Sequence, residues 1–328
     1  MTTETLIKGD KTDDFQEIGT QEVNIQNAQN NAKLEDLCFK NEKRDFHIHT
    51  AFSDGFDLIE NIVATAVKNG LEEIAITDHD STKAYDVARY IIKKELYTNK
   101  NKLPLKIVPG VEVTVKKYHI LGLYVDTKCE ELQNLLAEIR AINNEKSKKR
   151  CEKLTTFGLP IVYEALREVF PLSKRISKFH IGWYLQNCLA NEIEKDLGKN
   201  PPMFAILQTY LSKEKMDKLV EDVMDPKRAI DAIHKAKGLA IVAHPFKQIN
   251  PKIEMYELDK LVALGIDGLE VQPNYGPENL PFIKYALDKG LKLTYGSDYH
   301  GPDFPLRPML YGQDMRNVRT LPFAKVYR

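Results

Sequence analysis

A chain of 328 residues, 43% of them hydrophobic, can bury one large α/β core with insertions or two ordinary domains. Its 47 basic and 47 acidic residues cancel, so no global field draws it to nucleic acid or to a membrane surface. No apolar run approaches the roughly 20 residues that span a bilayer, no secretory signal opens the chain, and four cysteines without a CxxC pair read as reduced thiols, all of which points to the cytoplasm and away from membranes.

Residues 1–42 are polar, rich in Asn, Gln, Glu and Thr, and cannot bury enough surface to offset ordering; they read as a disordered tail. From Asp45 onward, short β-branched runs alternate with helical patterns, the signature of βα units. Strands are expected at Asp45–His49, Glu73–Thr77, Lys106–Pro109, Glu112–Lys116, His119–Val125, Leu239–Ala243, Gly268–Gln272 and Lys292–Tyr295. Helical patterns fall at Leu58–Asn69, Ser81–Leu96, Pro226–Lys237, Glu254–Leu264 and Pro277–Lys289. Asp57 and Ser81 are expected to cap two of these helices, and Gly70, Gly238, Gly265 and Gly290 to end four. Across 127–225 the strand pattern gives way to Lys- and Glu-rich helical text, so these residues read as a helical insertion, a cap or lid. Residues 43–126 and 226–328 then form the barrel proper.

Polar residues with metal-binding chemistry sit where the apolar strands end. His47 and His49 are two apart on a strand, so both imidazoles share a face, and Asp54 lies in a Ser-Asp-Gly turn just beyond. The apolar run Glu73–Ile76 leads into Asp78-His79-Asp80. Here His79 reads as a ligand, Asp78 as a partner orienting a ligand histidine, and Asp80 as a cap of the next helix. Glu112 interrupts another apolar run, and a buried carboxylate needs a partner such as a metal. His119 begins an apolar strand, His244 ends one before Pro245, and Asp298 and His300 repeat the two-residue spacing. Six of the eight histidines fall in these clusters. Imidazole and carboxylate without thiolate suit Mn, Fe or Zn better than Ca. Such ions lower the pKa of water and favour metal-assisted hydrolysis, with phosphate esters as the leading substrate class. His234, Trp183 and Tyr184 read as packing residues.

These motifs resemble the PHP (polymerase and histidinol phosphatase) family. Four family motifs match His47-x-His49 with Asp54, Thr77-Asp78-His79, Ala243-His244-Pro245 and Ser297-Asp298-x-His300, and Glu112 and His119 match further ligand positions. The resemblance implies a distorted (β/α)₇ barrel with three divalent ions at the strand C-termini. His47, His49, Glu112 and Asp298 would hold one. Asp54, His79 and His300 would hold the second. Glu112 would bridge to a third completed by His119 and His244. It further implies attack by a metal-bridging hydroxide, with His47, His49, Asp54, His79, Glu112, Asp298 and His300 as the catalytic set.

The helical insertion before Ala243-His244-Pro245 is similar to the branch containing 3′,5′-nucleoside bisphosphate phosphatases and 5′-to-3′ exoribonucleases. That implies nucleotides or short single-stranded RNA as substrates. The branch presents an Arg and a His from the insertion to the substrate phosphate. Here the matching run is Ser177-Lys178-Phe179-His180, with Lys where Arg is expected, and a further basic position falls at Lys146. Two alternatives stand beside this reading: a small-metabolite phosphatase resembling histidinol phosphatase, and a non-catalytic scaffold. Oligomeric state is not legible in the sequence.

Overall fold

Seven strands pair in simple chain order: β1 Arg44–Ile48, β2 Glu73–Ile76, β3 Lys106–Thr114, β4 His119–Leu123, β5 Leu239–Val242, β6 Gly268–Val271 and β7 Lys292–Tyr295. The computed structural model describes residues 43–99, 105–216, 224–252, 254–272 and 278–301. The expected tail over 1–42 and the segment from 302 onward lie outside the described residues. After β7 the chain returns to β1. His49 N–H donates to the Tyr299 carbonyl at 2.8 Å and Tyr299 N–H to that of His47 at 3.3 Å, leaving a nearly closed barrel.

Two departures from the expected βα pattern matter for the site. Lys106–Pro109 and Glu112–Lys116 are not separate strands. Instead, β3 runs through Pro109 and Gly110, pairing parallel to β2 up to Pro109 and antiparallel to β4 from Gly110 onward. Pro, which cannot donate to a ladder, sits where the strand changes partner. The second departure is β4 itself, antiparallel to both β3 and β5 while the other pairings are parallel.

Phe46, Ala75, Val108, Leu121, Leu123, Ile241 and Ala243 fill the barrel interior. A register shift between Asp45 and Ile48 lets Phe46 point inward while Ile48, two residues on, packs outward against the first helices. Those helices are α1 (Ile59–Lys68) and α2 (Lys83–Asn99). Asp57 does not cap α1. Leu58 holds the cap position without a side-chain bond, and the Asp57 carboxylate instead accepts the Tyr299 hydroxyl, tying the loop to the barrel closure. Ser81 accepts only a long contact from Lys83 N–H, at 3.4 Å. Gly238 is not a left-handed stop either: Lys237 takes the positive φ of 59°. Gly238 is required for space, since a Cβ there would lie 2.5 Å from Val125 Cγ1.

Between β4 and β5 come α3 (Glu130–Thr155), α4 (Tyr163–Val169), α5 (Lys178–Cys188), α6 (Ala190–Leu197), α7 (Met203–Tyr210), α8 (Lys213–Met216) and α9 (Pro226–Lys235). The end of α3 and the helices from α4 to α8 share an apolar core of their own, including Leu154, Leu166, Ile181, Leu185, Ile193 and Ile206. The first half of α3 (Leu132, Leu135, Leu136, Ile139) instead packs with α9 against the barrel's outer face. After β5, α10 (Tyr256–Leu264) and α11 (Leu280–Lys289) complete the outer layer. No helix among the described residues is long and apolar enough to cross a membrane.

Candidate metal centre

All nine residues singled out as ligands converge at one end of the barrel. Parallel strands deliver His47, His49, His79, His244, Asp298 and His300 at or just past their C-termini, and Asp54 comes from the turn after β1. His119 opens β4, and because β4 runs antiparallel its first residue lies at that same end, paired with Thr114. Glu112, inside β3, bridges to His79 through the neighbouring strand end. Eight of the nine are buried; the His119 side chain is 31% exposed. The backbone is bent to present some of them, with φ of 30° at His244 and 56° at Asp298. These are left-handed values that persist only where surrounding structure imposes them.

The atoms are spaced as ligands, not as ordinary hydrogen-bonding partners. Two donors each about 2.1 Å from one ion stand roughly 3–3.5 Å apart. His47 Nε2 and His49 Nε2 are 3.0 Å apart. Each faces Glu112 Oε2, at 3.3 and 3.2 Å, and Asp298 Oδ1, at 3.5 and 3.3 Å. A second group joins His49, Asp54, His79 and His300, with Asp54 Oδ1 3.6 Å from both His49 Nδ1 and His300 Nε2. On the other side of Glu112, Oε1 lies 2.9 Å from His119 Nδ1 and 3.0 Å from His244 Nε2. Asp54 Oδ1, His79 Nδ1 and Glu112 Oε2 are buried with no hydrogen-bond partner. Orphaned buried acceptors are costly, and divalent cations would satisfy them. The donor set therefore fits metal ions.

Charge is unevenly distributed over the cluster. Burial opposes a proton on His47, but the carboxylates of Glu270, Glu112 and Asp298 outweigh it and hold the imidazole well above its ordinary pKa. Burial likewise opposes the charge on His49, yet hydrogen bonds to Asp298 and Glu112 bring it to about 9. His79 and His244 are lowered, chiefly by burial. Glu112 stays well below the carboxylate range: burial is outweighed by His79, His47 and His119.

Surrounding residues fix the ligands, and sequence reasoning missed several. Glu270, fully buried, accepts from or shares a proton with His47 Nδ1 at 2.8 Å and accepts His244 N–H at 2.7 Å. Gly296 makes room for it, since a Cβ there would lie 2.1 Å from Glu270 Oε1. A lone Glu on an apolar strand was the available clue, the same one that marked Glu112. Asp45 receives Ser297 through both N–H and hydroxyl, at 2.9 and 2.6 Å. Gln248 Nε2 meets His244 Nδ1 at 2.9 Å, and Lys247 Nζ lies 2.7 Å from Asp298 Oδ2.

Two expectations are corrected. Asp78 reaches the ligand His49 through Ser53, whose hydroxyl lies 3.4 Å from His49 Nδ1, and not by a direct bond. It accepts Thr50 N–H and hydroxyl, both at 2.8 Å, and Ser53 hydroxyl at 2.5 Å, and so folds the turn that carries Asp54. Asp80 does not cap a helix: its φ is 54° and its buried carboxylate pairs with Arg175 from the insertion at 2.9 Å. Of the three expected substrate contacts, His180 is buried at the N-terminus of α5, its Nδ1 accepting Ser177 N–H at 2.9 Å. Its ring centroid lies 6.3 Å from that of Phe56, two residues past Asp54, and its pKa falls to about 4 through burial, partly offset by Asp54 and the Ser53 backbone. Lys178 is exposed at the start of the same helix. Lys146 is buried in α3, lining a cavity of about 10 Å³ with Thr114, Asn143 and Met224 and with none of the nine ligand candidates. Trp183 is half-buried and packs against Phe170 within the insertion and across the seam against Phe56.

A nearly closed seven-stranded barrel with His, Asp and Glu gathered at its strand ends is the architecture of the PHP phosphoesterases. Residues 45–177 match the PHP domain model. It is 29% identical over 269 residues to the 5′-3′ exoribonuclease Rnm of Salmonella typhimurium, covering 79% of this chain and 85% of that protein. It is 28% identical over 269 residues to the phosphoribosyl 1,2-cyclic phosphate 1,2-diphosphodiesterase of Eggerthella lenta, covering 78% and 94%. A solved structure from Bifidobacterium adolescentis, assigned to the metal-dependent phosphoesterases, superposes with a TM-score of 0.65 at 25% identity, over 80% of this chain and 89% of that one.

Proposed function

We propose that this chain is a metal-dependent phosphoesterase that hydrolyses phosphate esters of nucleotides or short single-stranded RNA. The observation that carries the reading is the set of buried imidazole and carboxylate atoms standing 3.0–3.6 Å apart, three of them without hydrogen-bond partners. The nine donors are enough for three ions, and imidazole with carboxylate suits Mn, Fe or Zn. Bound ions would supply a nucleophile from water near neutral pH and neutralise phosphoryl oxygens.

The chain's own residues have definable tasks. Glu112 presents one oxygen to His47 and His49 and the other to His119 and His244, so it joins the two sides of the centre. Asp54 does the same for His49, His79 and His300 from the opposite wall. Glu270 orients His47, and burial keeps His79 and His244 unprotonated, the form that binds metal. Lys178, His180 and Lys146 belong to the insertion and are offered as substrate contacts, His180 with the best placement because it faces the Asp54 turn. The nucleotide or RNA preference draws support from the exoribonuclease relative and from the insertion itself.

Phosphate release from adenosine 3′,5′-bisphosphate by Mn²⁺-loaded protein tests this reading, with Asp298→Ala as control. Release that disappears in the control is expected. Absence of release from this compound and from short RNA, with metal shown to be bound, would overturn it. A small-metabolite phosphatase or a non-catalytic scaffold would then stand instead.

A further inference from the structure

Phe179 sits in the first turn of α5, between Lys178 and His180. Its ring is partly exposed. It is not part of the insertion's apolar core, which takes Ile181 and Leu185 from the same helix. The ring lies instead against the metal centre, its centroid 5.7 Å from that of His300. His300 belongs to the group formed with His49, Asp54 and His79, and its Nε2 is 3.6 Å from Asp54 Oδ1. Phe179 is therefore an aromatic side chain of the insertion placed at a wall of imidazoles and a carboxylate.

The turn that carries it is held on both sides. Ser177 Oγ accepts Phe179 N–H at 3.1 Å, while Ser177 N–H donates to His180 Nδ1 at 2.9 Å, a reciprocal cap that fixes the helix start. The buried His180 ring packs on Phe170 with 4.5 Å between centroids. Lys178 Nζ stands 5.6 Å from the Phe179 centroid, within cation–π range. One turn of helix thus presents a flat apolar ring and a cation side by side at the edge of the centre. That pairing matches a nucleotide, which joins a flat π-system to phosphate charge in one molecule. An apolar ring left partly in water forgoes burial that a core position would give. Stacking against a substrate base would recover it.

We propose that Phe179 stacks against the base of a nucleotide substrate while the phosphate to be cleaved lies at the metal centre. This rests on the phosphoesterase reading and extends it to the part of the substrate that is not phosphate. Every base has a π-face, so one stacking ring favours base-bearing phosphate esters without choosing among bases. The competing role is a shield, in which Phe179 only keeps water from His300. A shield acts alike on every substrate.

The test compares two substrates on the full-length, Mn²⁺-loaded protein: adenosine 3′,5′-bisphosphate and the same sugar bisphosphate without its base. The readout is the ratio of their kcat/KM values. Loss of one base–aromatic stack predicts that Phe179→Leu lowers this ratio by about fivefold or more. Metal content should not change. Phe179→Tyr, which keeps the ring, should hold the ratio within about twofold of wild type. A smaller drop in Phe179→Leu overturns the proposal, and equal losses on both substrates identify the shield. A ratio in Phe179→Tyr as low as in Phe179→Leu overturns it too. If Phe179→Leu does not fold, the wild-type ratio decides: a preference for the base-bearing substrate below about fivefold rejects stacking. If the wild-type protein cleaves no phosphate ester, the underlying reading fails. Calorimetry with adenosine 3′,5′-bisphosphate then judges Phe179 alone, and equal affinity in wild type and Phe179→Leu rejects it.

Discussion

The barrel and the helical insertion solve opposite problems with buried polar groups. The barrel gathers ionisable side chains inside its rim and leaves three of their atoms unsatisfied. The insertion closes over an apolar cluster of Leu, Ile, Met and Tyr, and sends only a few polar side chains toward the barrel. One region is held together partly by what it is built to bind; the other is held together by itself. The two meet at Asp80, whose carboxylate accepts Arg175 and Asn143 and whose backbone carbonyl accepts Arg140.

Perturbations should therefore separate. Asp54→Asn removes a buried oxygen facing three histidines, and phosphate release should fall by about 10³-fold or more, since an ion and its positioning contribute several kcal/mol. Thermal unfolding of the metal-free protein should also shift down modestly, because the histidines around Asp54 hold its carboxylate in the charged form and that contribution is lost. Leu154→Ala is the mirror experiment. This fully buried residue of the insertion core should cost about 2–5 kcal/mol in chemical denaturation, with metal content per folded molecule unchanged. Metal lost in proportion would join the two regions into one cooperative unit.

Glu270→Gln tests the border between ligand and support. The residue touches His47 and the His244 backbone, and metal affinity measured by competition with a chelator should drop about 10–100-fold while the barrel still folds. The smallest effect is a slope. Carboxylates hold His47 and His49 in the protonated form, His49 to about 9, so metal must displace protons to bind there. Affinity should rise with pH through the neutral range, by about tenfold per unit for each proton displaced. A flat profile would place the first ion on His79, His119 and His244 instead.

The difference between the regions also governs what could be read from the residues alone. An apolar run ended by His or Asp is visible because burial of a polar group needs a reason, and His47, His79, Glu112, His244 and Asp298 were found that way. The same logic would have reached Glu270, which also stands alone among apolar neighbours. Asp80 was misread because its partner, Arg175, is distant in sequence, and a carboxylate after a strand otherwise suggests a helix cap. The reversed direction of β4 left no local mark: after His119, Ile120–Leu123 is apolar on both faces, as a buried parallel strand would be. Pro109-Gly110 looked like a break because a change of pairing partner is a tertiary event. In the insertion, helical text was plain, but the burial of Lys146 depended on packing that periodicity does not encode.

Antiparallel pairing of β4 with β5 has a consequence for how the chain can be cut and rejoined. Leu123 and Leu239 are direct partners across that ladder, so everything from 124 to 238 departs and returns through one gap a single strand spacing wide. Topologically the whole excursion is an overgrown hairpin turn. Closing such a long loop carries only a logarithmic entropy cost, but it delays the pairing until distant segments meet. A Gly-rich bridge across that gap would strip α3 and α9 from the barrel's outer face, so the replaceable part is the inner stretch from α4 to α8, which closes over a core of its own.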